Sequence, residues 1–250
     1  MQMVKPPGTV RFLFLGDSIL FGWRVTLEES LPEHYRAVIQ HLQPEARVEM
    51  MNAGVIGHTS LQGALEIDRW MEFTPDYVFI NYGWNDASTT SFSHRSDLHY
   101  HLESQRFPYR IGRLLNRSAL LNFAVSGKPG DDDGQTEGTG RARVIPAEYA
   151  DNLASIVATV RGRGGEAVFI PISVPAGYLA EMRKLAEEKN IVLMELDGVL
   201  QSHPREEMYL DACHPTASGY RLLAEMLYEE TKLILNGEDR TMEIHSPSAL

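Results

Sequence analysis

Ser18 closes the stretch Arg11-Phe12-Leu13-Phe14-Leu15-Gly16-Asp17-Ser18. The apolar run has the length of a buried parallel strand, and the residues after it are turn formers. Ser18 is therefore expected at the carboxyl end of a central strand, where open α/β sheets place their active sites. A hydroxyl is a poor nucleophile unless a base lies within hydrogen-bond reach. His214, in Asp211-Ala212-Cys213-His214-Pro215, can be that base if an acceptor holds its other ring nitrogen. Asp211, three residues earlier in the same loop, is placed to do so. Such a trio performs acyl transfer, which also needs donors for a developing oxyanion. Gly57, in Asn52-Ala53-Gly54-Val55-Ile56-Gly57, offers a backbone N–H that no side chain obstructs. Asn85, in Gly83-Trp84-Asn85-Asp86, offers a side-chain amide, and the Ser18 N–H is a third donor.

Each of these residues also has a plainer reading. Ser18 has the type of a helix N-cap, and Asp17 of a residue bracing turn N–H groups. Asn85 and Asp86 can cap a turn, and Thr216 can cap the last helix. Cys213 invites comparison with a thiol nucleophile, but neighbours in sequence rarely aim at one another and cysteine is more often a small buried residue. His94, His99 and His101 read as a solvated histidine-rich loop in preference to a metal site. Asp131-Asp132-Asp133-Gly134 lacks the spaced ligands of a calcium loop. No metal site is therefore expected. Of the aromatic residues beside the four blocks, Trp84 and Phe21 are the two read as lining a substrate pocket.

The elements that must position these groups alternate between strand and helix. Strands are expected over 10–15, 47–52, 77–81, 167–172 and 191–196, the second shorter than the first. Helices are expected over 27–42, 60–72, 148–161, 176–189 and 217–235. Leu61, Leu65 and Trp70 mark the apolar face of the second helix, and Leu153, Ile156, Val157 and Val160 that of the third. Such alternation argues for a parallel sheet with helices on both faces. Residues 87–147 form a long insertion, partly helical over 109–123 and rich in Gly and Asp over 127–140. Loops of that length are usually lids, binding loops or disordered segments. Residues 236–250 read as a polar, frayed tail. With no repeat and no linker, the 250 residues are expected to form one domain.

The formal net charge of −11 argues against nucleic acid or an anionic membrane surface as a main partner. One cysteine permits no intramolecular disulfide. Met1–Gly8 lacks the apolar core of a signal peptide, and no apolar run approaches the ~18 residues of a spanning helix. The expectation is a cytoplasmic protein without stable membrane insertion, or a secreted one whose signal has been trimmed.

The four blocks, in order and spacing from Gly16 to Pro215, resemble those of the SGNH (GDSL-like) hydrolase family. The resemblance implies Ser18 as nucleophile, Gly57 and Asn85 as oxyanion donors, and Asp211 and His214 as acid and base. The first block continues with Ile19 where the family often has leucine. The second block carries two glycines: Gly57 matches the family spacing, and Gly54 is the fallback. The Gly-x-Ser-x-Gly elbow of other α/β hydrolases is absent around Ser18. The resemblance further implies a three-layer α/β/α, flavodoxin-like sandwich with a five-stranded parallel sheet. It implies hydrolysis of a small-molecule ester or thioester through an acyl-serine, with no metal or organic cofactor. An acyltransferase on the same site, or a binding module that keeps the fold, are the rival readings.

Overall fold

The computed structural model describes residues 4–89 and 142–235. Five parallel strands run through the middle: β1 (Val10–Gly16), β2 (Val48–Gly54), β3 (Tyr77–Asn81), β4 (Glu166–Phe169) and β5 (Val192–Leu193). Their order is β2-β1-β3-β4-β5, that of a flavodoxin-like doubly wound sheet. The helices are α1 (Ser18–Phe21), α2 (Leu31–Leu42), α3 (Ser60–Met71), α4 (Trp84–Ala87), α5 (Pro146–Gly162), α6 (Ala176–Lys189), α7 (Asp197–Gln201), α8 (Arg205–Met208) and α9 (Ala217–Leu235).

The period-two alternation of β1 divides the core. Leu13 and Leu15 face one layer with Val78 and Ile80, covered by Leu61 and Ile67 of α3, Leu153 and Ile156 of α5, and Met182 of α6. Phe12 and Phe14 face the other with Phe79, covered by Tyr35 and Ile39 of α2 and by Tyr220, Leu223 and Leu227 of α9. Every one of these residues is buried, so both faces of the sheet are sealed, as parallel sheets require. The β-to-α turns at the carboxyl ends of β1, β2 and β3 are left to carry chemistry.

Several boundaries differ from the sequence expectation. The helix expected over 27–42 is broken at Ser30, whose backbone is extended. A 3-10 turn, Leu27–Glu29, precedes it, closed by the Glu29 carboxylate accepting the Thr26 N–H at 2.9 Å. Pro32 lies in the first turn of α2, where its missing N–H costs nothing. β2 is as long as β1, because it pairs in register from Val10↔Val48 to Gly16↔Gly54. Leu65 is not on the buried face of α3: it is 50% exposed, and the face comprises Leu61, Ile67 and Met71. β4 stops at Phe169, although Ile170 and Ile172 remain buried, because the Ile172 N–H turns to the Asn81 side chain at 2.9 Å. β5 is reduced to two residues at the sheet edge. α5 begins at Pro146, and the chain is back against the domain by Ala142, which bridges Thr89. The expectations for 109–123, 127–140 and 236–250, and for His94, His99, His101 and Asp131–Gly134, fall outside the described residues.

Candidate active site

Ser18 is the first residue of α1, immediately beyond the carboxyl end of β1. The capping role belongs to Asp17, whose Oδ1 accepts the Ile19 N–H at 2.9 Å. Ser18 is thereby freed from capping. Its N–H has no acceptor among the described residues, and its Oγ lies 2.8 Å from His214 Nε2. α1 is held from behind by α9, where the Tyr220 hydroxyl donates to the Ile19 carbonyl at 2.6 Å.

The His214 ring is fixed on its other side by Asp211, with Nδ1 2.9 Å from Oδ1 and 2.8 Å from Oδ2. Asp211 Oδ1 also accepts the Cys213 and His214 backbone N–H groups, both at 3.0 Å. Burial works to raise the Asp211 pKa, but the N–H groups of Cys213 and His214 and the imidazole outweigh it, and the carboxyl is held down at about 2. An ionised carboxylate only accepts, so Nδ1 carries the proton and Nε2 of the neutral ring is the acceptor for the Ser18 hydroxyl.

The loop bearing this pair is braced from outside. The Leu210 N–H returns to the His214 carbonyl at 2.8 Å, and Ser173 Oγ donates to the Cys213 carbonyl at 3.0 Å. Arg205 donates to the Ala212 carbonyl at 2.8 Å while its guanidinium lies over the Tyr209 ring, 4.5 Å from its centroid. The last helix is capped by Thr216, the residue before it, whose Oγ1 accepts the Gly219 N–H at 3.1 Å. Asp211, Cys213 and His214 bring potential ligand atoms within 4.8 Å of one another. Both imidazole nitrogens are already committed within the Ser18–His214–Asp211 chain, and burial pushes the Cys213 thiol up to about 12, which disfavours a thiolate nucleophile there.

The two glycines of the second block are distinguished by their surroundings. The Gly54 N–H is taken by Asn52 Oδ1 at 2.9 Å, and a Cβ on Gly54 would stand 2.2 Å from the Phe21 nitrogen. Gly54 is the point where α1 packs directly on β2. Gly57 has φ +78°, open space where a Cβ would be, and an N–H without acceptor among the described residues. Its turn is closed by the His58 N–H on the Val55 carbonyl at 3.1 Å and tied to β1 by the Val55 N–H on the Gly16 carbonyl at 3.0 Å.

Asn85 stands in the short helix α4. Its Nδ2 donates to the His58 carbonyl at 3.0 Å and to Asp17 Oδ2 at 3.3 Å. The neighbouring Asp86 is fully buried and accepts from the Ser60 N–H at 3.0 Å and the Ser60 hydroxyl at 2.5 Å, binding α4 to the start of α3. Burial pushes the Asp86 carboxyl up to about 6, against the Ser60 hydrogen bonds. Burial pushes Asp17 up to about 7, with the Asp86 charge adding and the Ile19 N–H opposing.

Ser18, His214, Asp211, Gly57 and Asn85 thus converge on one end of the sheet. Trp84 lines a cleft of about 460 Å³ beside the Asp211–His214 loop, together with Val174, Arg205, Tyr209 and Ala212. Phe21 does not line it; it is exposed at the end of α1. Ser173, Arg205 and Arg143, whose guanidinium donates to the Gly57 carbonyl at 2.9 Å, belong to the site's support and were not among the residues expected from sequence.

Among the described residues, no helix is long and apolar enough to cross a membrane. Comparison with curated proteins finds no match. Solved structures of the same architecture are numerous but distant. The psychrotrophic esterase EstA from Pseudoalteromonas sp. superposes with a TM-score of 0.60 at 16% identity, covering 90% of this chain and 98% of its own. A family 3 carbohydrate esterase of Clostridium thermocellum gives 0.58 at 14%, covering 92% and 98%. The acetylxylan esterase Axe2 from Geobacillus stearothermophilus gives 0.54 at 18%, covering 88% and 93%. At these identities the likeness is one of fold. The family model of the GDSL-like lipase/acylhydrolases matches residues 14–222, a span that contains all four blocks. The chain belongs to the GDSL-like lipase/acylhydrolase family and is, with it, a carboxylic ester hydrolase.

Proposed function

We propose that the protein cleaves small acyl esters through a covalent acyl-Ser18 intermediate. The observation that carries this reading is the unbroken chain from Ser18 Oγ to His214 Nε2 at 2.8 Å and from His214 Nδ1 to Asp211 Oδ2 at 2.8 Å. His214 takes the hydroxyl proton as Ser18 Oγ bonds to the ester carbonyl carbon. The resulting imidazolium is stabilised by Asp211. The oxyanion of the tetrahedral intermediate accepts from the Ser18 and Gly57 N–H groups and the Asn85 amide. Of the two Asn85 bonds, the one to Asp17 at 3.3 Å is long for N–H···O, so that hydrogen is the one an oxyanion recruits. The C–O bond then breaks and His214 protonates the departing alcohol. Water, deprotonated by the same imidazole, releases the acid and regenerates Ser18.

The cleft beside the acid–base loop supports a polar, hydroxylated alcohol portion. Its lining adjoins Ser18 and His214 only through Ala212 and Trp84. With Arg205 stacked on Tyr209 and Asp197 accepting the Ser173 N–H, it is Trp84, His203 and Gln201 that offer an aromatic face and polar tips, a combination that suits a sugar better than an alkyl chain. Two of the structural relatives carry carbohydrate esterase names. The test is a panel of p-nitrophenyl esters of graded acyl length alongside acetylated sugars, with the Ser18→Ala variant as blank. Turnover is expected to be greatest for acetyl esters and to vanish in the variant. A preference for long acyl chains would remove the substrate assignment, and turnover by Ser18→Ala would remove the mechanism.

A further inference from the structure

The turn that carries Gly57 is held at three points. Its Val55 N–H binds the Gly16 carbonyl, and its His58 carbonyl accepts the Asn85 amide. The third point is the Gly57 carbonyl, which accepts from Arg143 Nη1 at 2.9 Å across 86 residues of sequence. The first two anchors belong to the four blocks. Arg143 does not: it lies on the returning stem of the insertion, where its N–H binds the Ser88 carbonyl at 2.9 Å. The next residue, Val144, is buried and donates to the Asp86 carbonyl at 3.1 Å, so the stem is fixed to the residues that follow Asn85. The Val144 carbonyl also accepts the Tyr178 hydroxyl at 2.6 Å.

Gly57 is in the left-handed region with open space where a Cβ would be. The peptide that follows it is held by the His58 N–H on the Val55 carbonyl and by Arg143 on the Gly57 carbonyl, whereas the peptide that precedes it presents the Gly57 N–H with no acceptor among the described residues. A glycine there has more accessible backbone states than any other residue. Rotation about its φ and ψ would re-aim the N–H that the oxyanion needs, and a displacement of about 1 Å in such a group costs on the order of 10²-fold in rate. The guanidinium also brings positive charge close to the hole, where it lies near enough to Asp86 to favour that carboxylate's ionised form.

We propose that Arg143 is a positioning residue of the oxyanion hole: by holding the Gly57 carbonyl it fixes the Gly57 backbone angles, and through them the direction of the Gly57 N–H that receives the oxyanion. The inference rests on the acyl-serine reading above. It predicts that Arg143→Ala lowers kcat between about 10- and 100-fold while KM stays within a factor of about three. Arg143→Lys, which keeps one donor, recovers most of the loss; Arg143→Met does not.

The experiment measures kcat and KM for p-nitrophenyl acetate per active site, counted by complete fluorophosphonate labelling, so that misfolded protein does not enter the rate. Stoichiometry near one label per chain, with kcat lowered in Ala and Met and recovered in Lys, is the expected result. Unchanged kcat in Ala, or a rise in KM alone, would overturn the proposal, as would a Lys variant no better than Met. If the Ala and Met variants do not fold, Arg143→Gln against Arg143→Lys provides the same contrast. Failure of the parent reading is separate: it would show as undiminished turnover in Ser18→Ala with Arg143 intact.

Discussion

Replacing Asp17 by asparagine should flatten the dependence of stability on pH. Asp17 is 1% exposed, and burial raises its pKa from 3.8 to about 7. Between those values the folded state holds a proton that the unfolded chain has lost. Stability therefore falls as pH rises through this window, and the contribution is gone above about pH 7. The rise from 3.8 to about 7 corresponds to roughly 4 kcal/mol, of which about 2–3 kcal/mol falls between about pH 5 and about pH 8. Asp86, raised from 3.8 to about 6, adds a smaller loss over the lower part of the range. Burial depresses His34 and His58, which pull the curve the other way. They do so equally in both proteins, so the difference between the curves reports Asp17 together with its charge coupling to Asp86. Asparagine retains an oxygen to accept the Ile19 N–H, so the cap is kept. The assay is urea unfolding at several pH values across that range, with free energies extrapolated at constant m. The wild type should lose about 2–3 kcal/mol more than Asp17→Asn between about pH 5 and about pH 8. Parallel curves would refute the reasoning, because they would mean that Asp17 ionises in the folded protein as it does in water.

Three further outcomes follow from the same geometry. Asp211→Asn should lower kcat by about 10³–10⁴-fold with folding intact, since the amide no longer enforces the Nδ1–H tautomer of His214; steady-state kinetics with a thermal melt would check both. Gly63→Ala places a methyl group 2.6 Å from the buried Tyr82 ring and should cost about 1–3 kcal/mol in chemical denaturation. Cys213→Ala should leave kcat within a factor of about three, because a thiol pushed up to about 12 supplies no thiolate at working pH; a large loss on this substitution would reopen the thiol's role.

The strands, and the loops that bring the candidate site residues together, were legible in the sequence because their signals are local. The run 12–15 is apolar throughout because β1 is internal to the sheet and sealed on both faces. Asp211 and His214 share one loop, so their spacing alone suggested the pair. Tyr77–Asn81, Ala176–Lys189 and Ala217–Leu235 lie where their periodicity and flanking residues put them. What periodicity missed was set by neighbours. Ser30 interrupts a continuous helical pattern because a capped 3-10 turn precedes it. Leu65 has the composition of a core position but faces away from the sheet. β5 is cut to two residues because its pairing is confined to Val168 and Phe169 at the end of β4. The choice between Gly54 and Gly57 required the Asn52 side chain and the Phe21 backbone, which only the folded chain brings to Gly54. Arg205, Ser173 and Arg143 hold carbonyls, so nothing in their spacing to the catalytic residues marks them in sequence.

The most direct test of the central claim is the fate of the Ser18 hydroxyl. Wild-type protein and Ser18→Ala are incubated with a fluorophosphonate, mapped by peptide mass spectrometry, and assayed on p-nitrophenyl acetate. A single phosphonyl adduct on Ser18, stoichiometric with loss of turnover and absent from the variant, is the predicted result. An adduct elsewhere with Ser18 unmodified, or turnover by Ser18→Ala equal to the wild type, would contradict it.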